Sequence, residues 1–358
     1  MERIIALKEL AFQRYRFDGF LIFKWANLLY FTGFQGASAL LIPRDGENTI
    51  YVHSVNYEQA KIEAKDFNID LVKRSENLIK KIAGKAKKAG VKRLAVDILD
   101  AESWHNLSNA TKNKTKLTLK GGLVAELRQT KDSDEIELMR KAAELTNLGM
   151  EKAYEVISPG KREFEVAAEI EYAMRRRGSG GIAFDTAVSS GLRSAFPHGG
   201  CSDYEIRDGD LVVVDFGAIY NNYRSDMTRT FVAGKPSQKQ KKIYDIVQKA
   251  QEAAFEATKP KFKAKEVDAM ARQVINDAGF GEFFVHGLGH GVGLEIHEPP
   301  VLNAGSNDKL VAGNVLTLEP GIYLPNYGGI RIEDTVLVGE GGAEKLTSGF
   351  YSLHTAKT

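Results

Sequence analysis

The sequence predicts a small α/β domain over residues 1–122, followed by a larger α+β domain over residues 123–358 that is built from two similar halves. Three observations predict this fold class. Short apolar strands alternate with helical patterns in the first part. The order helix, helix, histidine segment and acidic hairpin occurs twice in the second part, and each hairpin carries two carboxylates. The halves should be related by a pseudo-twofold axis, with the hairpins close to the place where they join.

The first domain should contain four short strands and three helices. Apolar and β-branched runs predict the strands at residues 19–23, 39–42, 49–53 and 93–97. Helical periodicity covers residues 2–15, 56–65 and 77–90. Gly121-Gly122 is the predicted domain boundary.

Each half of the second domain should begin with two helices. A capping box from Asp132 to Glu135 starts the first helix, and Ser237 can cap its counterpart in the second half. Glycine and proline residues then predict where the helices end. The four predicted helices cover residues 132–157, 163–177, 237–259 and 265–277.

The two acidic hairpins repeat each other in sequence. The first reads DGDLVVVDFG and continues to RSD, whereas the second reads AGNVLTLEPG and continues to RIE. Aligned on their glycines, Asp215 corresponds to Glu319 and Asp226 to Glu333. A turn at residues 220–221 would place Asp215 directly opposite Asp226, and the equivalent loop would place Glu319 opposite Glu333.

Such facing carboxylates are unfavourable without a cation. Residues directly opposite in an antiparallel pair lie about 4.5–5.5 Å apart at Cβ, so like charges repel. Buried carboxylates without a partner normally become protonated. Four unrelated acids, exposed or paired with Arg224 and Arg331, are the alternative, but the duplicated positions favour a binuclear metal site. Two ions about 3.5 Å apart would lower the pKa of a water molecule and polarise a carbonyl or phosphoryl group, which is metal-assisted hydrolysis.

Histidines narrow the kind of metal site. Residues 286–299 hold His286, His290 and His297, three of the seven histidines in the chain, together with four glycines that allow close backbone approach. His198 precedes the first hairpin as His297 precedes the second. Oxygen-rich ligation with an imidazole is unlike a structural zinc site, which would use cysteine. It suits Mn, Co, Fe or a catalytic Zn pair.

Composition excludes several classes of protein. The chain is 43% hydrophobic and 27% charged, and it lacks an apolar run of the roughly 20 residues that a membrane span needs. It starts without a signal-peptide pattern, and Cys201 is its only cysteine, so the cytoplasm is the predicted compartment. Residues 1–122 carry 21 Lys/Arg against 13 Asp/Glu. Their basic run at residues 80–93 lacks interleaved aromatics and is typical of a solvated helix face rather than of nucleic-acid binding.

The motifs together resemble the family of prolidase, aminopeptidase P and methionine aminopeptidase, whose catalytic domain has the "pita-bread" fold. The resemblance covers essentially the whole chain. The run NLLYFTGF, which begins at Asn27, is similar to the amino-terminal domain of the proline-specific branch. The second-domain motifs are Ser190-Gly191, Phe196-Pro197-His198-Gly199, Asp215 with Asp226, Gly289-His290-Gly291, His297-Glu298-Pro299, Glu319-Pro320-Gly321 and Arg331-Ile332-Glu333.

This resemblance implies two divalent metal ions per subunit, with manganese as the first choice and cobalt, zinc or iron as alternatives. Asp226 and Glu333 would bridge the two ions. His290 and Glu319 would complete one site, and Asp215, as a bidentate ligand, the other. Glu319 would also take a proton from the attacking water and help to pass it to the leaving nitrogen.

The remaining candidates follow from the same resemblance. His198 and His297 would contact the substrate and stabilise the oxyanion of the tetrahedral intermediate. His286 would line the pocket near the scissile bond. Arg331 would orient the acids from outside the ligand set. Tyr323 is a further site candidate, with hairpin packing as its alternative role.

The resemblance implies an exopeptidase that acts on proline-containing peptides. The first interpretation is an aminopeptidase that removes the amino-terminal residue preceding proline. The alternative is a prolidase restricted to Xaa-Pro dipeptides, which needs a wall or a cation that selects the free carboxylate, and a partner subunit could supply that group. A non-catalytic binding module, or a metal-free amidinohydrolase such as creatinase, would show eroded ligand positions, whereas all five are present. The family also implies a homodimer, whereas composition is the reason to expect neither nucleic-acid nor membrane partners.

Overall fold

The computed structural model describes residues 2–112 and 114–357, which form two compact units that divide between Arg128 and Gln129. The first unit holds a mixed six-stranded sheet. Its strands are β1 (Gly19–Ile22), β2 (Ala39–Pro43), β3 (Thr49–His53), β4 (Asn68–Val72), β5 (Arg93–Val96) and β6 (Lys116–Leu119), in the order β4-β3-β2-β1-β5-β6. Its helices are α1 (Glu2–Lys8), continued by a π-helical turn, α2 (Trp25–Thr32), α3 (Tyr57–Glu63), α4 (Leu78–Lys88), α5 (Ala101–Ala110) and α6 (Gly121–Arg128).

The four predicted strands are present, but β4 and β6 were not predicted. Both lie at the edges of the sheet and are mostly half-buried or exposed, so their hydrophobic pattern is weak. Helices α2, α5 and α6 were not predicted. Helix α2 is mostly apolar and its residues from Ala26 to Thr32 are buried, so it lacks a polar face that would mark it as a helix. Its amino terminus is fixed by Asp97, which accepts hydrogen bonds from the backbone N–H groups of Phe23 and Lys24.

The predicted boundary at residue 122 falls inside helix α6. Gly121 is not part of a linker, since a Cβ there would lie 2.5 Å from the carbonyl oxygen of Asp97. The glycine therefore permits close packing of α6 against the end of strand β5. The compact units separate after this helix.

The second unit contains the predicted duplication. Its first half consists of α7 (Ser133–Val156), α8 (Glu163–Arg176) and strands β7 (Gly181–Ile182), β8 (Ala187–Ser190), β9 (Leu211–Phe216), β10 (Ala218–Tyr220), β11 (Tyr223–Arg224) and β12 (Met227–Val232). Its second half consists of α9 (Gln238–Ala257), α10 (Ala264–Asp277) and strands β13 (Gly289–Gly291), β14 (Glu298–Leu302), β15 (Val315–Leu318), β16 (Gly321–Leu324), β17 (Gly328–Arg331), β18 (Asp334–Val338) and β19 (Ala343–Lys345). The expected helix pairs are confirmed, including the caps at Asp132 and Ser237.

Each half has its own apolar core. In the first half, α7 and α8 pack on β8, β9 and β12 through residues such as Met150, Ile170 and Val214. In the second half, α9 and α10 pack on the strands through residues such as Val247 and Leu316. Helix pairs therefore cover one side of the strands and leave the acid-bearing side for the site. Among the described residues, no helix is both long enough and apolar enough to cross a membrane.

The register of the first hairpin differs from the prediction. Asp215 pairs with Thr228 rather than with Asp226, because the turn lies at Asn221 and Asn222, one residue later than expected. Both asparagines have positive φ, the conformation that a two-residue hairpin turn requires. Since the shift moves the partner of Asp215 by two positions, Asp226 stays on the same face as a diagonal neighbour.

The second hairpin has the predicted register. Leu318 pairs with Asp334 on one side, and Gly321 pairs with Arg331 on the other. Glu319 and Glu333 lie opposite each other between these two ladders.

Candidate metal centre

A cavity of about 570 Å³ lies in the second unit, and nine of the ten predicted site residues line it. The tenth, Tyr323, lies outside the lining and contacts two of the lining residues. The two halves thus bring their acids and histidines to one place. The nine are His198, Asp215, Asp226, His286, His290, His297, Glu319, Arg331 and Glu333.

The acids converge on His290. Ligand atoms of Asp226, His290 and Glu333 all lie within 4.8 Å of one another, close enough to surround a single cation. His290 Nε2 lies 3.5 Å from Glu319 Oε1 and 3.7 Å from Asp226 Oδ2. Asp215 is tied to the cluster through Arg331, whose Nη2 donates to Asp215 Oδ2 at 2.7 Å.

His290 is held in the form that a metal ligand requires. Burial, followed by the neighbouring His297, lowers the pKa of His290 to about 4, so the ring is neutral near pH 7. Its Nδ1 lies 3.1 Å from the carbonyl oxygen of Gly291, which places the proton on Nδ1. The lone pair on Nε2 then faces the acids, and a backbone carbonyl orients the ring as it does in many metal sites.

The carboxylates are electrostatically unsatisfied. Burial and then the charge of Glu333 raise the pKa of Asp226, and burial followed by the charge of Glu319 raises that of Glu333. Burial likewise raises the pKa of Glu319 to about 8. Among residues 2–112 and 114–357, Asp215 Oδ1 and Asp226 Oδ1 are buried and accept no hydrogen bond. Buried carboxylate oxygens without a hydrogen-bond partner, beside a neutral imidazole, are suitable ligands for a divalent cation.

Arg331 starts a chain of hydrogen bonds behind the acids. Its Nη1 donates to the hydroxyl oxygen of Tyr323 at 2.9 Å, and that hydroxyl lies 2.9 Å from His286 Nε2. Burial raises the pKa of Tyr323 to about 12 and lowers that of His286 to about 4. His286 Nδ1 lies 2.8 Å from the carbonyl oxygen of Gly287, so it carries the proton and Tyr323 donates to Nε2. Both ring nitrogens of His286 are therefore engaged by the protein, which suits an orienting role.

Unlike His286, His198 and His297 are exposed, and both line the cavity. The ring centroid of His297 is 4.3 Å from that of His290. These two imidazoles are therefore placed to meet a bound molecule.

Sequence reasoning missed the threonines that support the acids. Thr228 Oγ1 donates to Glu333 Oε2 at 2.6 Å and accepts from Arg331 Nε. Thr335 Oγ1 bonds both the N–H and the carbonyl of Asp226. With the acid triplets aligned, the two threonines occupy equivalent positions of the repeat, each two residues after an acid. That spacing puts side chains on one face of a strand, so the signal was present in the sequence.

A buried ion pair beside His297 was also missed. Lys131 Nζ lies 3.3 Å from Glu298 Oε2, and the two side chains are 1% and 3% exposed. Glu298 Oε1 accepts from the N–H of Glu295, which fixes the loop in front of His297. No local pattern links Lys131 to Glu298, because the residues are distant in sequence.

Replacing Gly289 by alanine should destabilise the protein by about 1–3 kcal/mol, because overpacking displaces the backbone. A Cβ at Gly289 would lie 2.1 Å from the carbonyl oxygen of Thr317. Gly305→Ala is the matched control, since its Cβ would meet nothing closer than 3.5 Å. Chemical denaturation measures both variants, and equal free energies of unfolding would contradict the close approach at Gly289.

The duplicated α+β unit, with acids and a neutral histidine converging in one cavity, is that of a metal-dependent hydrolase. The chain belongs to metallopeptidase family M24, because the model of that family matches residues 137–340. Residues 3–130 match the creatinase/prolidase N-terminal domain. The catalytic unit thus has the pita-bread fold expected from the sequence.

Relatives extend over nearly the whole chain. The chain is 45% identical to the Xaa-Pro dipeptidase of Pyrococcus furiosus over 331 residues, which is 92% of this chain and 93% of that protein. The structure of the Xaa-Pro dipeptidase from Bacillus anthracis aligns with a TM-score of 0.94 at 37% identity and covers 99% of both chains. An X-Pro aminopeptidase from Thermotoga maritima aligns with a TM-score of 0.87 at 37% identity, over 96% of this chain and 99% of that one.

Proposed function

We propose that the protein is a metal-dependent Xaa-Pro dipeptidase that hydrolyses the bond between an amino-terminal residue and a carboxyl-terminal proline. The observation that carries the proposal is the convergence of His290 Nε2 on carboxylates from both hairpins, at 3.7 Å from Asp226 Oδ2 and 3.5 Å from Glu319 Oε1. The names of the relatives from Pyrococcus furiosus and Bacillus anthracis support the dipeptidase alternative over the aminopeptidase that was the first interpretation.

The proposed metal ligands are Asp215, Asp226, His290, Glu319 and Glu333, for two divalent ions with manganese as the first choice. Bound cations would polarise the scissile carbonyl and lower the pKa of the attacking water. Hydrolysis adds the hydroxyl of water to the carbonyl carbon and a proton to the proline nitrogen. The carboxylate of Glu319 faces the cavity, where it can carry that proton.

The other residues act on the substrate or on the ligands. His198 and His297 are proposed to donate hydrogen bonds to the substrate carbonyl as negative charge develops on its oxygen. Arg331 keeps Asp215 in place and, through Tyr323, orients His286. We further propose that the enzyme works in the cytoplasm as a homodimer.

One observation favours the aminopeptidase as a second candidate. Arg331 is the only arginine or lysine among the described residues that line the cavity, and it already binds Asp215, Tyr323 and Thr228. A dipeptide presents a free carboxylate next to the scissile bond. The exposed imidazoles of His198 and His297, or a cation of a partner subunit, would have to receive it.

Substrate length separates the two candidates. After dialysis against a chelator and reconstitution with Mn²⁺, the protein should hydrolyse Gly-Pro faster than Gly-Pro-Ala, and it should leave Gly-Ala largely intact. The chelated protein should be inactive. Turnover of Gly-Pro-Ala without turnover of Gly-Pro would replace the dipeptidase by the aminopeptidase. If metal restored neither activity, both would be wrong.

A further inference from the structure

A second buried ion pair lies next to the acids but outside the cavity. Arg229 Nη2 is 2.8 Å from Asp334 Oδ1, and both side chains are 0% exposed. Each residue directly follows a residue of the site, Thr228 in one case and Glu333 in the other. Because side chains alternate along extended chain, Arg229 and Asp334 point away from the metal ligands.

Arg229 ties together the chain segments that carry the acids. Its Nη1 donates to the carbonyl oxygens of Thr228 at 2.9 Å and of Glu333 at 2.6 Å. Between these two carbonyls, the N–H of Glu333 donates to the oxygen of Thr228 at 3.0 Å. The same guanidinium donates to the carbonyls of Gly349 and Phe350. The Arg229 side chain thus connects strand β12, the segment around Glu333 and the segment at residues 349–350 by hydrogen bonds.

Asp334 is surrounded by donors that fix it in turn. Its Oδ1 accepts a hydrogen bond from Arg229 at 2.8 Å, its Oδ2 accepts one from Gln251 at 2.9 Å, and Lys345 Nζ lies 3.1 Å from Oδ2. A carboxylate with this many partners has little freedom to move. Besides Arg229, its donors are Thr347, Gln251, Lys345 and Tyr351.

The ion pair is not part of the duplication. With the two acid triplets aligned, Arg229 corresponds to Val336 and Asp334 to Met227. The equivalent positions therefore hold apolar side chains, and both are buried. Replacing a buried ion pair by apolar groups of similar volume is often neutral or stabilising. The pair is therefore poorly explained as a contribution to stability alone.

The Arg229–Asp334 pair can counteract the repulsion between the carboxylates of the site. The carboxylates of Asp226 and Glu333 approach within 4.8 Å on the opposite side of the same backbone. Their charges push apart the segments that carry them, and the guanidinium bonds oppose this push from behind. The threonine hydroxyls act on the cavity side only.

We propose that the Arg229–Asp334 pair is a positioning pair that fixes the Glu333 carboxylate for metal binding. It keeps Glu333 and Asp226 close enough to share an ion when their repulsion would separate the segments. The inference rests on the proposed metal-dependent function. In this role the pair contacts neither substrate nor ion.

The test removes both charges together, so that no buried charge is left without a partner. R229M/D334L should fold, as judged by circular dichroism and thermal unfolding. Calorimetric titration of the metal-free protein with Mn²⁺ should show an affinity about 10–100-fold weaker than that of the unaltered protein, the range found when groups that orient metal ligands are lost. Co²⁺ bound to the variant should have a changed visible absorption spectrum, because the ligand geometry relaxes.

R140Q/E344Q is the matched control. This arginine–glutamate pair is joined by two hydrogen bonds and lies at the surface of the same unit, outside the cavity. Its Mn²⁺ affinity should be unchanged. If R229M/D334L fails to fold, R229K decides, since lysine keeps the charge beside Asp334 but has three donors in place of the five that Arg229 uses on Asp334 and four backbone carbonyls.

The outcomes separate the inference from the proposed function. Absence of binding of both Mn²⁺ and Co²⁺ by the unaltered protein would overturn the proposed function. Normal binding by that protein together with unchanged affinity in R229M/D334L, or in R229K where the double variant is unfolded, would overturn the positioning role. An equal loss of affinity in R140Q/E344Q would also overturn it, because the effect would then follow the loss of any ion pair.

Discussion

Replacing Glu319 by glutamine should lower kcat for Xaa-Pro hydrolysis by about 10²–10⁴-fold, the range for losing a general acid–base group. Glutamine keeps the size of the side chain and one oxygen near His290, but it cannot accept a proton. The four other proposed ligands remain, so the variant should still bind Mn²⁺. Steady-state kinetics with saturating Mn²⁺, together with the metal content of the purified variant, measure the effect.

Glu344→Gln is the control for this prediction. Glu344 has a side chain that is 52% exposed and pairs with Arg140 outside the cavity. Its loss should leave kcat within a factor of about 2, because exposed ion pairs contribute little. A Glu319→Gln enzyme with unaltered kcat and a full complement of metal would exclude Glu319 as the proton carrier.

The metal-free protein should lose stability as the pH rises from about 4.5 to 8. Burial raises the folded-state pKa of Glu319 to about 8, above the value of about 4.5 for an unfolded glutamate, and the pKa values of Asp226 and Glu333 are raised as well. The folded state therefore holds protons that the unfolded state releases, so increasing pH favours unfolding. Each such proton contributes a slope of about 1.4 kcal/mol per pH unit.

Chemical denaturation between pH 5 and 8 measures this slope after dialysis against a chelator. Added Mn²⁺ should restore stability most strongly at pH 8, where the carboxylates are free to bind it. Glu333→Gln removes one raised pKa and one repelling charge, so it should flatten the slope and raise the stability of the metal-free protein at pH 8. Stability that rises with pH in the metal-free protein would show that the carboxylates are not in conflict.

The duplicated pattern made much of the site predictable. Aligning the two hairpins on their glycines showed that Asp215 is equivalent to Glu319 and that Asp226 is equivalent to Glu333. All four acids line one cavity. Helix caps at Asp132 and Ser237 were also readable, because a capping box is a contact between residues three positions apart. Such features depend on neighbours in sequence.

The register of the first hairpin could not be predicted from the local sequence pattern. Two adjacent asparagines, Asn221 and Asn222, adopt positive φ and shift the turn by one residue. The acids stay on one face because side chains alternate with a period of two. The prediction of a shared face was therefore robust, whereas the prediction of direct opposition between Asp215 and Asp226 was wrong.

By itself, the sequence determined the two-part fold and the duplication, because periodicity, caps and repeated spacings are properties of the chain itself. The ten candidate site residues came from these spacings together with the resemblance to a known family. Only the tertiary structure decided how the site is supported. The bonds of Arg229 to the Glu333 segment, the burial of Lys131 against Glu298 and the engagement of both His286 nitrogens join residues that are distant in sequence. Their partners and their pKa values depend on which surfaces folding removes from water, and no local pattern records that.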